Sequence, residues 1–305
     1  MRIGIDIGGS HIAVGLVNDK YELIAKKDVS IKDFNNDKTM QEKIEETIVE
    51  FINELLRENN QIEEKIELIG IGSPGTVKNG IIYNAVNLGI DGFDIKTAIE
   101  KHFKTKVYVQ NDCKCSGICE KELGSLKVYE DAIFLAIGTG IGGAAFMGHS
   151  MLVPKRYSGF EFGHIIIDKN GDNCKCGNKG CFEVYSSMKR FKNDVINKFN
   201  LSKNMHGKDI YEFIKKNESN NMKDFINEYI ENLSIGLANI INIFEPQAIA
   251  LGGSFAYYED ILLDKLKENL KNKLFNSSCP DILVAKYKND AGLIGATMLD
   301  KYQIK

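Results

Sequence analysis

The chain has 305 residues, with 39 Lys and Arg against 42 Asp and Glu, no Trp and four Pro. At ~150 residues per domain the length suggests about two domains, and a composition 43% hydrophobic and 27% charged excludes disorder, collagen and coiled coil. A net charge of −3 argues against nucleic acid as the main partner, because phosphate backbones call for a strongly basic face.

Arg2–Ile7 reads as a short apolar strand stopped by Gly8-Gly9-Ser10, and residues 12–17 as a second strand, so the opening is a hairpin around a glycine turn. The start, Met1-Arg2-Ile3-Gly4-Ile5-Asp6, carries charge inside any apolar core and has no small-residue cleavage site, so no signal peptide is expected. Residues 38–58 read as a helix, with Ile44, Ile48, Phe51, Ile52 and Leu55 at helical spacing. Residues 66–71 form an expected buried strand broken by Gly72-Ser73-Pro74-Gly75. Residues 106–110 are a further strand, followed by Asn111-Asp112 and an expected helix over 113–123. Strand, glycine turn and helix recurring in this order predict an α/β fold with a mixed sheet.

The pattern then restarts. Residues 131–137 read as a strand, Gly138-Thr139-Gly140-Ile141-Gly142-Gly143 as a turn and 144–147 as a strand, which suggests an internal duplication at domain scale. The uncharged run 132–154 is long enough to span a bilayer, but glycine clustered at its middle makes it a strand, a turn and a strand. No membrane segment is therefore expected. Helices follow at Met188–Lys198, Gly207–Lys216 and 222–244, then a strand at 248–251 leading into Gly252-Gly253-Ser254. Lys215 to Asn221 reads as a solvated loop, and residues 292–302 as a helix returning to the first domain.

Three glycine turns thus follow three buried strands. Glycine lets a ligand approach the backbone, and exposed N–H groups beside Ser10 or Thr139 suit phosphate oxygens. One such turn alone is better read as a plain hairpin; three, the first led by Asp6, favour phosphate binding, with Asp6 placed to hold hydrated Mg²⁺. No turn has the Lys-Ser or Lys-Thr pair of a P-loop, and Gly138 to Gly143 meets a strand instead of the helix a dinucleotide fingerprint needs.

His164, Cys174, Cys176 and Cys181 are spaced as a closed, structural Cys₃His zinc site, with Gly177 and Gly180 letting the loop fold back. Seven cysteines are too few for a disulfide scaffold, so a reducing, cytoplasmic setting is expected. Cys113, Cys115 and Cys119 do not share one helix face and read as small buried residues, and Cys279 has no assigned role. Asp112, at a strand-to-helix junction, reads by position alone as an N-cap. The phosphate turns make a general base for a substrate hydroxyl the more attractive reading. Glu161 and Glu183 bracket the metal loop, where they either bind sugar hydroxyls or are solvated. His164 is able to ligate zinc through one nitrogen and meet substrate through the other.

Taken in order, Asp6-Ile7-Gly8-Gly9-Ser10, Asn111-Asp112, Gly138-Thr139-Gly140-Ile141-Gly142-Gly143, Glu161-Phe162-Gly163-His164, Cys174-Lys175-Cys176-Gly177, Gly180-Cys181-Phe182-Glu183 and Ala291-Gly292-Leu293-Ile294-Gly295-Ala296 resemble the ROK family of sugar kinases and repressors over the whole chain. The resemblance implies an α/β, two-domain actin-like ATPase fold, a duplicated ribonuclease H-like unit with a cleft between domains that closes on substrate and excludes water. The expected division is 1–112 plus 290–305 as the smaller domain and 113–289 as the larger, zinc-bearing one. It also implies ATP phosphates against Gly8, Gly9, Ser10, Gly138, Thr139 and Gly140, with Gly252 and Gly253 near the nucleoside. Asp112 matches the family's base; Asn87, Asn111, Glu161, His164 and Glu183 match its sugar-binding positions, with Gly75 beneath the sugar. The zinc site resembles the family's structural one, which orients His164, and the family favours a homodimer.

Four residues depart from the pattern. His11 stands where Lys is frequent, Val86 where Pro precedes the sugar-binding Asn, Lys114 where Asn follows the base, and Ala144 where a third glycine is usual. The leading expectation is ATP-dependent phosphorylation of a hexose, with glucose first and N-acetylmannosamine or N-acetylglucosamine as alternatives. Two other classes are a sugar-sensing regulator, which needs a helix-turn-helix ahead of the first glycine turn where this chain begins a strand at residue 2, and a non-catalytic zinc-stabilised sugar-binding protein.

Overall fold

The computed structural model describes residues 1–34, 38–61, 63–155, 159–276 and 278–302. It separates into two compact units. The first comprises Met1–Lys127, Ser150–Gly159 and Asn289–Lys305; the second comprises Val128–His149 and Phe160–Lys288.

In the first unit, β1 (Arg2–Ile7), β2 (His11–Val17) and β3 (Leu23–Ser30) are followed by α1 (Met40–Glu58) and β4 (Leu68–Ser73). Then come β5 (Thr76–Lys78), β6 (Ile81–Tyr83), β7 (Phe93–Asp94), α2 (Ile95–Glu100), β8 (Lys106–Asn111) and α3 (Asp112–Glu122). The main sheet runs β3-β2-β1-β4-β8. β1 pairs antiparallel with β2 and parallel with β4, and β4 pairs parallel with β8. A small antiparallel sheet, β5-β6-β7, stands beside it.

The reasons lie in the side chains. Ile3, Ile5 and Ile7 share one face of β1 and are completely buried, and every residue of β4 is buried, as suits a strand covered on both faces. α1 is opened by a reciprocal cap in which Glu42 N–H donates to the Thr39 hydroxyl and Thr39 N–H donates to the Glu42 carboxylate. Its Ile44, Ile48, Ile52 and Leu55 stripe joins the strands in one apolar core.

The second unit repeats this plan. β9 (Ala132–Ile137) and β10 (Ile141–Met147) form an antiparallel hairpin, after which a short strand, β11 (Ser150–Met151), begins the segment that belongs to the first unit. α4 (Phe182–Ser186), α5 (Met188–Lys198), α6 (Gly207–Lys216), α7 (Asn220–Phe244), β12 (Ala248–Gly252), α8 (Glu259–Leu270) and β13 (Asp281–Val284) follow. The strands stand in the order β10-β9-β12-β13, with β12 parallel to both β9 and β13. A hairpin joined to two parallel strands therefore occurs in each unit, β2-β1-β4-β8 and β10-β9-β12-β13, which is the duplication expected from the repeated glycine turn.

The chain closes with α9 (Ala291–Ala296) and a single-turn helix at Leu299–Tyr302, in place of the continuous helix expected over 292–302. α9 packs within the first unit against α3. It also packs against β4, and both contacts need bare backbone: a Cβ at Gly70 on β4 would collide with the Ala296 carbonyl, and one at Gly295 with the Cys115 carbonyl of α3. The same packing keeps α3 in the first unit, which runs on to Lys127, whereas a division directly after Asp112 was expected. The loop expected over 215–221 shortens to three residues, because α6 ends at Lys216 and α7 starts at Asn220. Among the described residues no helix is long and apolar enough to cross a membrane.

Candidate functional site

Within the first unit the expected residues gather at the carboxyl ends of β1, β4 and β8. The tip of the β1–β2 hairpin is Gly8-Gly9-Ser10, closed by Gly8 N–H donating to the His11 carbonyl at 2.8 Å. Asn87, exposed in a single-turn helix over Val86–Leu88, lies beside this tip, its Cβ 3.5 Å from where a Gly9 Cβ would stand. Asn111 ends β8. Its Nδ2 donates to the Gly75 carbonyl at 3.1 Å, and its Oδ1 accepts from the N–H groups of Cys113 and Lys114.

Asn111 is therefore the N-cap of α3, and the N-cap reading of Asp112 is corrected: Asp112 is the first helical residue. The neighbour relieves Asp112 of the structural role, though its Oδ1 still accepts from Cys113 N–H at 2.8 Å. Burial pushes the Asp112 carboxyl above the ordinary carboxylate range, against hydrogen bonds from Cys113 and the nearby Lys114 charge that pull it down. Asp6, on β1, is pushed up to about 7, first by burial and then by the charge of Asp112. Two desolvated carboxyls, one of them raised further by the charge of the other, are groups whose charged forms a divalent cation would stabilise. Lys114, one of the four departing residues, is buried and its ammonium donates to the Gly159 carbonyl at 3.2 Å.

Within the second unit Gly138-Thr139-Gly140 joins β9 to β10, with Gly138 N–H donating to the Gly140 carbonyl at 2.9 Å. Gly252 ends β12, and Gly253, at φ +66°, turns the chain into a single-turn helix over Gly253–Tyr257. The third turn therefore differs from the other two, since no strand returns from it. A Cβ on Gly253 would press on the Ile137 carbonyl, so this turn lies against the strand end that leads into Gly138. Glu183, in the first turn of α4, accepts from Ile141 N–H at 2.9 Å and so braces the turn after Gly140. Glu161 stands at the N-cap position of the single turn Phe162–His164, makes no side-chain capping hydrogen bond and is exposed.

His164, Cys174, Cys176 and Cys181 come together, with one ligand atom from each all within 4.8 Å of one another. Cys176 Sγ lies 3.6 Å from Cys181 Sγ, and Cys174 Sγ lies 3.8 Å from His164 Nδ1. Thiolates at ~2.3 Å from a tetrahedral zinc stand ~3.8 Å apart, so the spacing fits the ion. Burial and the neighbouring thiols push Cys181 up to about 12, a cost a cation removes. The loop is pinned from outside: Arg190 donates to Asp172, Asp194 and the Val184 carbonyl, and Tyr185 accepts from Asp172 N–H. Sequence reasoning did not single out Arg190 or Tyr185, because Asp172, the partner they share, lies in the loop away from their helices.

The fold and these placements define a duplicated α/β protein of the actin-like ATPase class, with glycine turns at the sheet ends and a Cys₃His cluster. The ROK family model matches residues 2–303, and the chain belongs to this family. It is 26% identical over 326 residues to a glucokinase of Thermotoga maritima, covering 99% of this chain and 98% of that protein. It is 28% identical over 307 residues to a xylose repressor of Caldicellulosiruptor bescii, covering 96% of this chain and 76% of that protein. A ROK family glucokinase from Streptomyces griseus, solved in complex with glucose and AMPPNP, superposes with a TM-score of 0.80 at 25% identity, covering 98% of each chain.

Proposed function

We propose that this protein transfers the γ-phosphoryl group of ATP to a hydroxyl of a hexose, with glucose the leading substrate. The observation that carries this reading is Asp112. Asn111 takes over capping of the helix, and Asp112 is left as a desolvated carboxylate whose raised pKa suits a general base at neutral pH. Asp112 accepts the proton of the sugar hydroxyl as its oxygen bonds to the γ-phosphorus; the bond from phosphorus to the bridging oxygen breaks, and ADP leaves with that electron pair.

The other roles follow the chemistry of each group. Gly8, Gly9, Ser10, Gly138, Thr139 and Gly140 offer backbone N–H and hydroxyl donors to phosphate oxygens. Gly252 and Gly253 leave room for the nucleoside. Asn87, Asn111, Glu161, His164 and Glu183 hold sugar hydroxyls, with Gly75 beneath the ring. Glu183 does so while one carboxylate oxygen remains on Ile141 N–H. Asp6 holds Mg²⁺ through water, and the ion, when bound, neutralises charge on the phosphates. Zn²⁺ on the Cys₃His cluster is structural: with Nδ1 on the cysteine side, it leaves the other ring nitrogen of His164 for substrate.

The relatives named as xylose repressors favour a second reading, a sugar-binding regulator without turnover. One experiment separates the two. ADP release from Mg²⁺-ATP is measured against glucose, mannose, fructose, allose, N-acetylmannosamine and N-acetylglucosamine, with Asp112→Asn alongside. Turnover on one sugar, abolished in the variant, supports the kinase and names its substrate. Sugar binding with no turnover in a zinc-loaded protein sinks the kinase reading and favours the regulator.

A further inference from the structure

The second unit contains a cavity of about 260 Å³ into which Gly138, Thr139 and Ser254 face from the glycine turns. Three lysines line the same cavity: Lys189, Lys192 and Lys203. None of them forms an ion pair with a carboxylate among the described residues. This sets them apart from Arg190, on the helix that carries Lys189 and Lys192, which Asp172 and Asp194 neutralise. Lys189 and Lys203 are exposed at the rim. Lys192 is half-buried, with its ammonium 5.7 Å from the Tyr258 ring centroid. Burial lowers its proton affinity with nothing anionic in place to restore it. The backbone ties this cluster to the turn, because Lys189 N–H donates to the Gly138 carbonyl at 3.1 Å.

The rest of the lining is poor in groups that read a nucleobase. Ile196, Met205 and Ile210 are apolar, and Asn193 is the one side-chain amide on the wall. A site discriminates strongly between related ligands when its own buried polar groups are left unpaired by the wrong one; apolar walls discriminate weakly. A cluster of unpaired ammonium groups, by contrast, attracts any polyphosphate.

We infer that Lys189, Lys192 and Lys203 grip the phosphates of the phosphoryl donor, and that this pocket selects its donor by phosphate charge and not by base, accepting nucleoside triphosphates generally. The inference rests on the donor reading of the glycine turns given above. Lys192 is the central donor-binding residue, since its half-buried ammonium has the most to gain from an anion.

Isothermal calorimetry tests this on the zinc-loaded wild-type protein with Mg²⁺-ATP, Mg²⁺-GTP, Mg²⁺-UTP and inorganic tripolyphosphate, and sugar turnover is measured on the same preparations. The three nucleotides are expected to bind within about tenfold of one another, with tripolyphosphate displacing each of them. Lys192→Gln should weaken all three alike by about tenfold, and Lys192→Arg should retain binding. Zinc content and circular dichroism show that the variants are folded. A preference of a hundredfold or more for one base, or unchanged affinity in folded Lys192→Gln, overturns the inference. Turnover with a single nucleotide overturns it while leaving the kinase reading intact. Base-independent binding without turnover supports it and removes the kinase reading instead.

Discussion

Asp112 and its neighbour Asn111 show how one residue's chemistry depends on the next. Asp and Asn are both good N-caps, and the dipeptide by itself does not say which one caps; the backbone does, placing Asn111 at an extended φ of −61° and ψ of 141° with its side chain turned onto Cys113 and Lys114. Asp112→Asn should therefore leave the melting temperature nearly unchanged while kcat falls by ~10²–10⁴, the usual contribution of a general base. Because Asp112 must be ionised to accept a proton, kcat in the wild type should rise with pH through a midpoint above the ordinary carboxylate range. Asp6 makes a stability prediction of its own. Its carboxyl, raised from 3.8 to about 7, keeps its proton in the folded chain where the unfolded chain has lost it. Stability should then decline as pH rises from about 4 to about 7. Thermal melts from pH 4 to 8 in metal-free buffer should show this decline in the wild type and a shallower one in Asp6→Asn; parallel curves would refute it.

Among the elements, the strands with continuous apolar runs, β1, β4, β9 and β12, were legible, as were the long amphipathic helices α1, α5, α6 and α7. β3, with its alternating Leu23, Ala25 and Lys26-Lys27-Asp28, was not, because a half-exposed edge strand carries too many charges to stand out. The small β5-β6-β7 sheet and the short helices α2 and α4 are too brief for periodicity to register. α9 illustrates a different failing. Its glycines read as helix-weakening, yet Gly295 lets the α9 backbone meet that of α3 at Cys115, as Gly70 on β4 lets that strand meet α9 at Ala296. Gly70→Ala and Gly295→Ala should each cost about 1–3 kcal/mol by overpacking, measured by denaturant unfolding, whereas Gly92→Ala, with open space around it, should cost less and only through its positive φ. The metal loop is also an element-scale device, since Phe182 N–H donates to the Ile165 carbonyl directly after Cys181 and so couples the cluster to α4, which carries Glu183. Metal analysis should find one zinc per chain. Its removal by a chelator should lower the melting temperature and sugar affinity together; a chelated protein with unchanged sugar affinity would separate the loop from the site.

For the whole molecule, the α/β class, the duplication, the three glycine turns and the members of the Cys₃His cluster were all readable from the chain. Each of these is written in local pattern: runs of apolar residues, glycine after a strand, and cysteines close enough in the chain that a short loop must gather them. Folding alone brought together residues far apart in the chain. Asn87, in the connection between β6 and β7, comes beside Gly9, and Asn111 reaches Gly75 because β4 and β8 are neighbours. Lys189, Lys192 and Lys203 meet Ser254 because α5 and the chain entering α6 pack beside the end of β12. The charge of Asp112 raises the proton affinity of Asp6 because the fold brings them close, although 105 residues separate them along the chain. Such juxtapositions leave no trace in spacing or composition, since burial and charge interaction depend on distance in space and not on distance along the chain.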